Sequence, residues 1–316
     1  MNTPIRKPAF HGTGGELFLI HLVNALLIVI TLGIYWFWAK TKVRAYLYGQ
    51  TEFDGDRFAY HGTGGELLRG WLKAVGLVFA VLVAGVLIQL LLGEIVGALF
   101  IYAALGFVVA PMAIVGARRY RLSRTSWRGV RFSFRASWKE FIPIFVLGVL
   151  LTVVTLGLYY PFFHVQVRRF LVDHSYFGNR PFSFDGDGRD IFGRHLLALL
   201  LFVPTLGFYW FWYTAFRNRY YWSHTSFGGA RFDSTVTGGA LLGLFLTNAL
   251  LLLVTLGIAF PWVQVRTIRF HADRLVLAGP AELEEVRQEA LAATATGEGL
   301  ADLMDVDLVG ADFFGL

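Results

Sequence analysis

The apolar positions of this chain fall into long runs, separated by polar stretches rich in Phe, Gly, Asp and Arg. Six runs reach the roughly 20 helical residues that a bilayer core requires: 16–39, 72–93, 95–117, 141–167, 191–213 and 240–265. Gly93-Glu94 reads as a tight turn between the second and third. The first run ends in Thr31-Leu32-Gly33, passes Tyr35, Trp36 and Trp38, and meets Lys40, Lys42 and Arg44. Trp and Tyr favour the headgroup level and Lys and Arg the water beyond, so this order describes a helix leaving a bilayer. The expectation is an all-α polytopic membrane protein with about six transmembrane helices.

The runs belong to an internal repeat of about 50 residues, with short β-hairpin connections. His11-Gly12-Thr13-Gly14-Gly15-Glu16-Leu17 returns as His61-Gly62-Thr63-Gly64-Gly65-Glu66-Leu67, and Thr-Leu-Gly steps recur at 155, 205 and 255. Between the first step and position 105 the register slips by 24 residues, which reads as a unit that has lost its extramembrane half. Thr13-x-x-Glu16, Thr63-x-x-Glu66 and Ser137-x-x-Glu140 match the capping box, with Asp187-x-x-Asp190 a close variant, so these acids need no catalytic role. Residues 51–58, 125–132 and 225–232 share Thr-x-aromatic-x-Gly-x-Arg-Phe, and Asp54-Gly55 signals a type I′ hairpin. Six spans place the connections 40–71, 118–139 and 214–239 on one side and 168–190 on the other, so that successive units alternate in direction. The larger share of Lys and Arg makes the first side cytoplasmic. In an alternative reading each Thr-Leu-Gly step breaks its helix, the aromatic and basic segment that follows runs along the interface, and the number of full spans changes.

Composition agrees with a membrane protein: 56% of the 316 residues are hydrophobic, 16% are charged, and mean hydropathy is +0.56. The opening stretch is too short and too polar for a complete cleavable signal, so the first span is expected to act as its own insertion signal. The absence of Cys excludes disulfides and thiolate chemistry. Net charge is +6, yet residues 280–316 hold nine acids against Arg287 alone, so the remainder is strongly basic. This divides the chain into a segment 1–15, a repeat-built membrane domain 16–279 and an acidic tail 280–316. In the tail, Leu283, Val286 and Leu291 suggest a short amphipathic helix, followed by a mobile remainder. Because the basic residues flank apolar spans, they point to anionic phospholipid rather than nucleic acid.

Candidate chemistry is sparse. Asn24 and Asn248 each precede a Thr-Leu-Gly step by seven residues and could line a solute path; interhelical hydrogen bonding is the plainer reading. Lys40, Lys42, Arg44, Arg118, Arg119, Arg168, Arg169, Arg217 and Arg219 are candidate lipid-headgroup or anion contacts. His21, His164, His195, His174 and His224 lack metal-ligand spacing, and His11 and His61 are expected on opposite faces. No hydrolase, zinc-protease or nucleotide-loop pattern is present. Neither enzyme activity nor a cofactor is expected.

The combination of residues 11–18, 31–40 and 51–55 resembles the YjgN-like family of bacterial inner-membrane proteins, over about residues 8 to 278. The resemblance implies a multi-pass inner-membrane protein and supplies no activity or catalytic residues. Alternating units would create the inverted symmetry of many transporters, so transport or binding of a small solute or lipid leads. A non-transporting scaffold is second and a lipid-modifying enzyme third. Lipid is the expected partner, with room for a homo-oligomer or another membrane protein.

Overall fold

One unit folds as strand, helix, turn, helix, strand, and the chain repeats it five times. In the first, β1 (Ile5–Arg6) and β2 (Pro8–Phe10) lead into helix α1 (Gly14–Ile30), the Thr-Leu-Gly turn reverses the chain, and α2 (Trp36–Gly49) returns to β3 (Thr51–Phe53). β4 (Asp56–Tyr60) opens the second unit, which contains α3 (Gly64–Leu92), α4 (Glu94–Ala104) and α5 (Ala110–Ser123). The third runs from β5 (Thr125–Trp127) and β6 (Val130–Phe134) through α6 (Trp138–Val154) and α7 (Tyr160–Asp173). The fourth has β7 (Ser175–Phe177), β8 (Arg180–Phe184), α8 (Gly188–Phe202) and α9 (Tyr209–Ser223). The fifth has β9 (Thr225–Phe227), β10 (Ala230–Ser234), α10 (Gly238–Val254), α11 (Phe260–Ala272) and β11 (Leu275–Ala278). The structure is a computed structural model, and it describes residues 5–280, Val286 and 296–303.

The strands form a single antiparallel sheet in the order β1-β11-β10-β9-β8-β7-β6-β5-β4-β3-β2. β1 and β2 are separated only by Lys7, so the two ends of the sheet meet and it curls into a barrel. Ile5 pairs with Ala278 and Arg6 with Leu277 at the seam. The hairpin tips are two-residue turns with positive φ at both centres: Asp54-Gly55, Arg128-Gly129 and Gly228-Gly229. That is the type I′ geometry whose twist matches the flanking strands. A fourth hairpin, β7–β8, closes around Gly178-Asn179.

The recurring aromatic motif fills the barrel. Phe53, Phe58, Trp127, Phe132, Phe177, Phe182, Phe227 and Phe232 belong to one continuous apolar cluster. Their rings meet in sequence, Phe132 with Phe177 at 4.8 Å and Phe182 with Phe227 at 4.7 Å between centroids. The Trp127 indole donates to the carbonyls of Phe53 and Asp56, both at 3.1 Å. Eight strands are about as many as side chains can fill completely. This larger ring keeps an apolar cavity of about 160 Å³ along its axis, roofed by Tyr48, Leu122 and Trp222 from the helix ends.

This architecture corrects the all-α six-span expectation. Among the described residues only two helices are long and apolar enough to cross a bilayer, Gly64–Leu92 and Glu94–Ser123. The other apolar runs are helical hairpins whose first arms hold 15 to 17 residues. The helices do break at Thr-Leu-Gly, but the aromatic and basic segment that follows folds back along the first arm, as in α1 and α2, instead of running along an interface. All the strands belong to one sheet, so the units do not alternate in direction. Arg57 on β4 and Arg180 on β8, expected on opposite sides, sit in the same barrel. The slipped unit has gained residues rather than lost them: α3 holds 29 residues where α1 holds 17. Where the other units reverse, at the position 50 residues before 155–159, it continues through a π-helical segment at Leu105–Val109.

Neighbouring units interlock through glycine. The first helical residue of α1, α3, α8 and α10 (Gly14, Gly64, Gly188, Gly238) lies against an aromatic ring of the preceding second arm: Trp262, Trp38, Phe162 and Trp212. A Cβ on any of them would approach within 2.7 Å. At the remaining seam the sizes are exchanged, with Trp138 in the glycine position and Met112 in the ring position. The expected caps are present: Thr63 and Ser137 form complete capping boxes with Glu66 and Glu140. In the tail, the proposed helix around Leu283 and Leu291 lies outside the described residues, whereas Thr296–Leu303 forms a helix, α12, packed between α3 and α5. Leu300 is buried there against Ala74, Val109, Ala113 and Ala117.

Candidate functional site

The second arms carry paired arginines, and helical geometry separates each pair. Consecutive residues on a helix point about 100° apart, so Arg118 and Arg119 cannot share a target, nor can Arg168 and Arg169. One member faces the next unit and clamps its loop. Arg119 donates to the carbonyl of Ala136, Arg169 to Gly186 at 2.7 Å, Arg219 to Val236, and Arg269 to Gly12 at 2.9 Å. Arg119, Arg169 and Arg219, read from sequence as anion contacts, are therefore ties between units.

Other arginines of the second arms turn inward. Arg44 and Arg118 are buried, Arg44 reaching the Tyr60 hydroxyl at 3.4 Å and Arg118 the Ser175 hydroxyl at 3.3 Å. Arg217 donates to the Tyr160 hydroxyl at 3.0 Å. The guanidinium of Arg168 lies over the rings of Tyr221 and Trp222, 5.5 and 5.4 Å from their centroids. Its Nε and Nη2 are shut off from solvent and take no hydrogen bond. Arg118 and Arg217 are each close enough for their charge to act on Arg168. Burial, then the charge of Arg118 with Arg217 adding to it and Tyr221 opposing, pushes Arg168 down to about 9, so it stays charged at neutral pH. Among the described residues no carboxylate forms an ion pair with Arg168 or Arg217.

Tyr and His complete the nest. Tyr221 shares a 2.8 Å hydrogen bond with His164 Nδ1, and Tyr213 one of 3.1 Å with His195 Nδ1. His195 Nε2 reaches the Gly157 carbonyl at 3.1 Å, so it donates there and Nδ1 accepts the tyrosine proton. Sequence reading did not connect these residues. The available signal was Tyr160, His164, Arg168 at helical i, i+4 spacing.

The other candidates are dispersed. Asn24 Nδ2 donates to the Ala39 carbonyl at 3.4 Å and Asn248 Nδ2 to Thr267 at 3.3 Å, each within its own hairpin. Neither lines the cavity inside the barrel. Lys40 lies over Trp36 and Lys42 over Tyr35, beside the first turn. His174 and His224 bond carbonyls of their own helices. His11 and His61, expected on opposite faces, pair with Glu52 of β3 and Ser126 of β5 on the same barrel. No group of three His, Asp or Glu side chains suited to a metal occurs among the described residues.

The model for a family described as "Bacterial protein of unknown function (DUF898)" matches residues 6–211 and 197–303. The chain belongs to this family. Curated relatives include "Inner membrane protein YjgN" of Escherichia coli K12, 40% identical over 154 residues, and that of Salmonella typhimurium LT2, 37% identical over 145 residues. The matches cover 48% and 46% of this chain but only 37% and 35% of the relatives. No solved structure matches. The DUF898 match includes every unit described above, and the names of its relatives support an inner-membrane location, in agreement with the YjgN-like resemblance.

Proposed function

We propose that this inner-membrane protein binds an anionic solute or lipid headgroup in the nest formed by Arg168, Arg217 and Arg118. The observation that carries this reading is Arg168. Arg168 is half-buried, but its Nε and Nη2 are shut off from solvent with neither a counter-charge nor a hydrogen bond, an arrangement that costs free energy. A phosphate or carboxylate placed against Nε and Nη2 supplies both, because the planar fork suits a two-oxygen acceptor. The surrounding tyrosine hydroxyls and the positive charge of Arg217 then select for charge and hydrogen-bonding capacity.

Binding, rather than transport, is what the geometry favours. The transport expectation leaned on units of alternating direction and on a polar path past Asn24 and Asn248. Here the units share one direction, and the cavity inside the barrel is lined by aromatic rings. The reading assigns no catalysis.

The test uses purified full-length protein in phosphatidylcholine nanodiscs. Inorganic phosphate or added phosphatidylglycerol should raise the unfolding temperature, and Arg168→Gln should abolish that rise. Equal stabilisation of wild type and Arg168→Gln by both anions would overturn the proposal.

A further inference from the structure

The four short units all reverse through the same unfavourable turn. Leu32, Leu156, Leu206 and Leu256 hold φ between 49° and 51°. For a residue with a Cβ that conformation costs roughly 1–2 kcal/mol, and glycine ordinarily fills this place at a helix end. The leucine side chains do nothing for the fold, since they are 86 to 93% exposed. Strain retained four times for a side chain that packs against nothing within the protein points to a use outside it.

The backbone of the turn gives a second, independent observation. The N–H groups of Thr31, Leu32, Gly33, Ile34 and Trp36 bond to the carbonyls of Leu27, Val29, Ile28, Thr31 and Gly33. The remaining one, of Tyr35, bonds to Thr31 Oγ1 at 2.9 Å, while the Thr31 hydroxyl itself donates to the Leu27 carbonyl at 2.7 Å. The pattern recurs without exception around Thr155, Thr205 and Thr255. Water would satisfy such groups on an exposed turn. In hydrocarbon an unsatisfied group costs several kcal/mol, and only internal bonding is available.

Length and charge set the depth. The segments 17–39, 141–167, 195–216 and 234–265 contain no Asp, Glu, Lys or Arg. A first arm of 17 residues extends about 25 Å, short of the roughly 30 Å hydrocarbon core. The 29 residues of α3 extend about 43 Å, and at the tip of that unit stands an exposed acid, Glu94.

We infer that the four Thr-Leu-Gly tips end inside the acyl-chain region of one bilayer, all entering from the barrel side, and that only the Gly93-Glu94 tip passes through to the opposite face. Each leucine is then a hydrocarbon anchor, and each threonine is the group that lets the backbone reverse without water. The inference does not depend on the anion nest.

The Cys-free background allows a direct test in sealed, oriented vesicles. Single substitutions Arg57→Cys and Asn179→Cys mark the barrel, Glu94→Cys the long tip, and Leu32→Cys, Leu156→Cys, Leu206→Cys and Leu256→Cys the short tips. An impermeant maleimide should label 57 and 179 from one face and 94 from the other, and should label no short tip until detergent is added. Spin labels at the short tips should collide with oxygen and not with a water-soluble nickel chelate. Labelling of a short tip in intact vesicles, or of 57 and 179 from opposite faces, would overturn the inference. Native-like size-exclusion elution of each variant in detergent serves as the folding control.

Discussion

Arg269 donates to the carbonyl of Gly12 at 2.9 Å across 257 positions of sequence, the same bond that Arg169 makes to Gly186 between consecutive units. The fifth unit therefore meets the first by the tie that joins the third to the fourth. A hydrogen bond from a charged donor is worth about 1.5–3 kcal/mol. Arg269→Ala should lower unfolding stability in detergent by roughly the low end of that range, and by as much as Arg169→Ala. A markedly smaller loss for Arg269→Ala would show that the ring is not closed in solution.

Arg168 should behave in the opposite way. Replacing a buried, uncompensated charge by a residue of similar bulk is often neutral or stabilising. Arg168→Leu is expected to leave the anion-free protein as stable as wild type or more so, and to remove the response to phosphate. Thermal unfolding with and without phosphate checks both halves.

The barrel interior should be unforgiving. Phe182 is 5% exposed and its ring sits 4.7 Å from that of Phe227. Phe182→Ala adds to a cavity already present, and such truncations cost about 3–5 kcal/mol. Chemical denaturation should record the loss, with the tryptophan fluorescence of Trp127 and Trp222 reporting the repacking.

In the long unit, Gly97 lies so close to α3 that a Cβ would stand 2.7 Å from the Gly85 carbonyl oxygen and 2.5 Å from the Gln89 Cβ. Close approach of small residues is how helices associate within lipid. Gly97→Val should force α3 and α4 apart, at a cost of about 1–3 kcal/mol, and increase proteolysis near Gly93. Gly106→Val, where nothing lies within 4 Å, should do neither.

Much of the unit was legible in sequence. The 50-residue period, the capping boxes and the Asp54-Gly55 hairpin depend on local chemistry, and local chemistry is what spacing reveals. The chain reversal was hidden because the turn is itself apolar: Ile30, Leu32 and Ile34 keep any hydropathy window high, and the bonds of Thr31 carry no sequence marker. Counting 16–39 as one span followed, and the alternation of sides followed from that count. The hairpin at 175–184 escaped because its tip is Gly178-Asn179, one position out of register with Gly55, Gly129 and Gly229. Its aromatic pair, Phe177 and Phe182, stands 50 residues before Phe227 and Phe232 and was the signal to use. In the site, the roles of Arg168 and Arg169 depend on which side of α7 meets the Gly186 carbonyl, and adjacent identical residues hold no record of that.

The pairing of β1 with β11 also governs the order in which this molecule can be made. Ile5 has no strand to bond until Ala278 has been synthesised, by which time the helices of all five units have been made. A nascent chain halted earlier presents a row of aromatic-bearing strands with an open edge, the kind of surface that recruits other strands. Sealing of the ring is thus the last step of its assembly, and it rests on the few residues of β11.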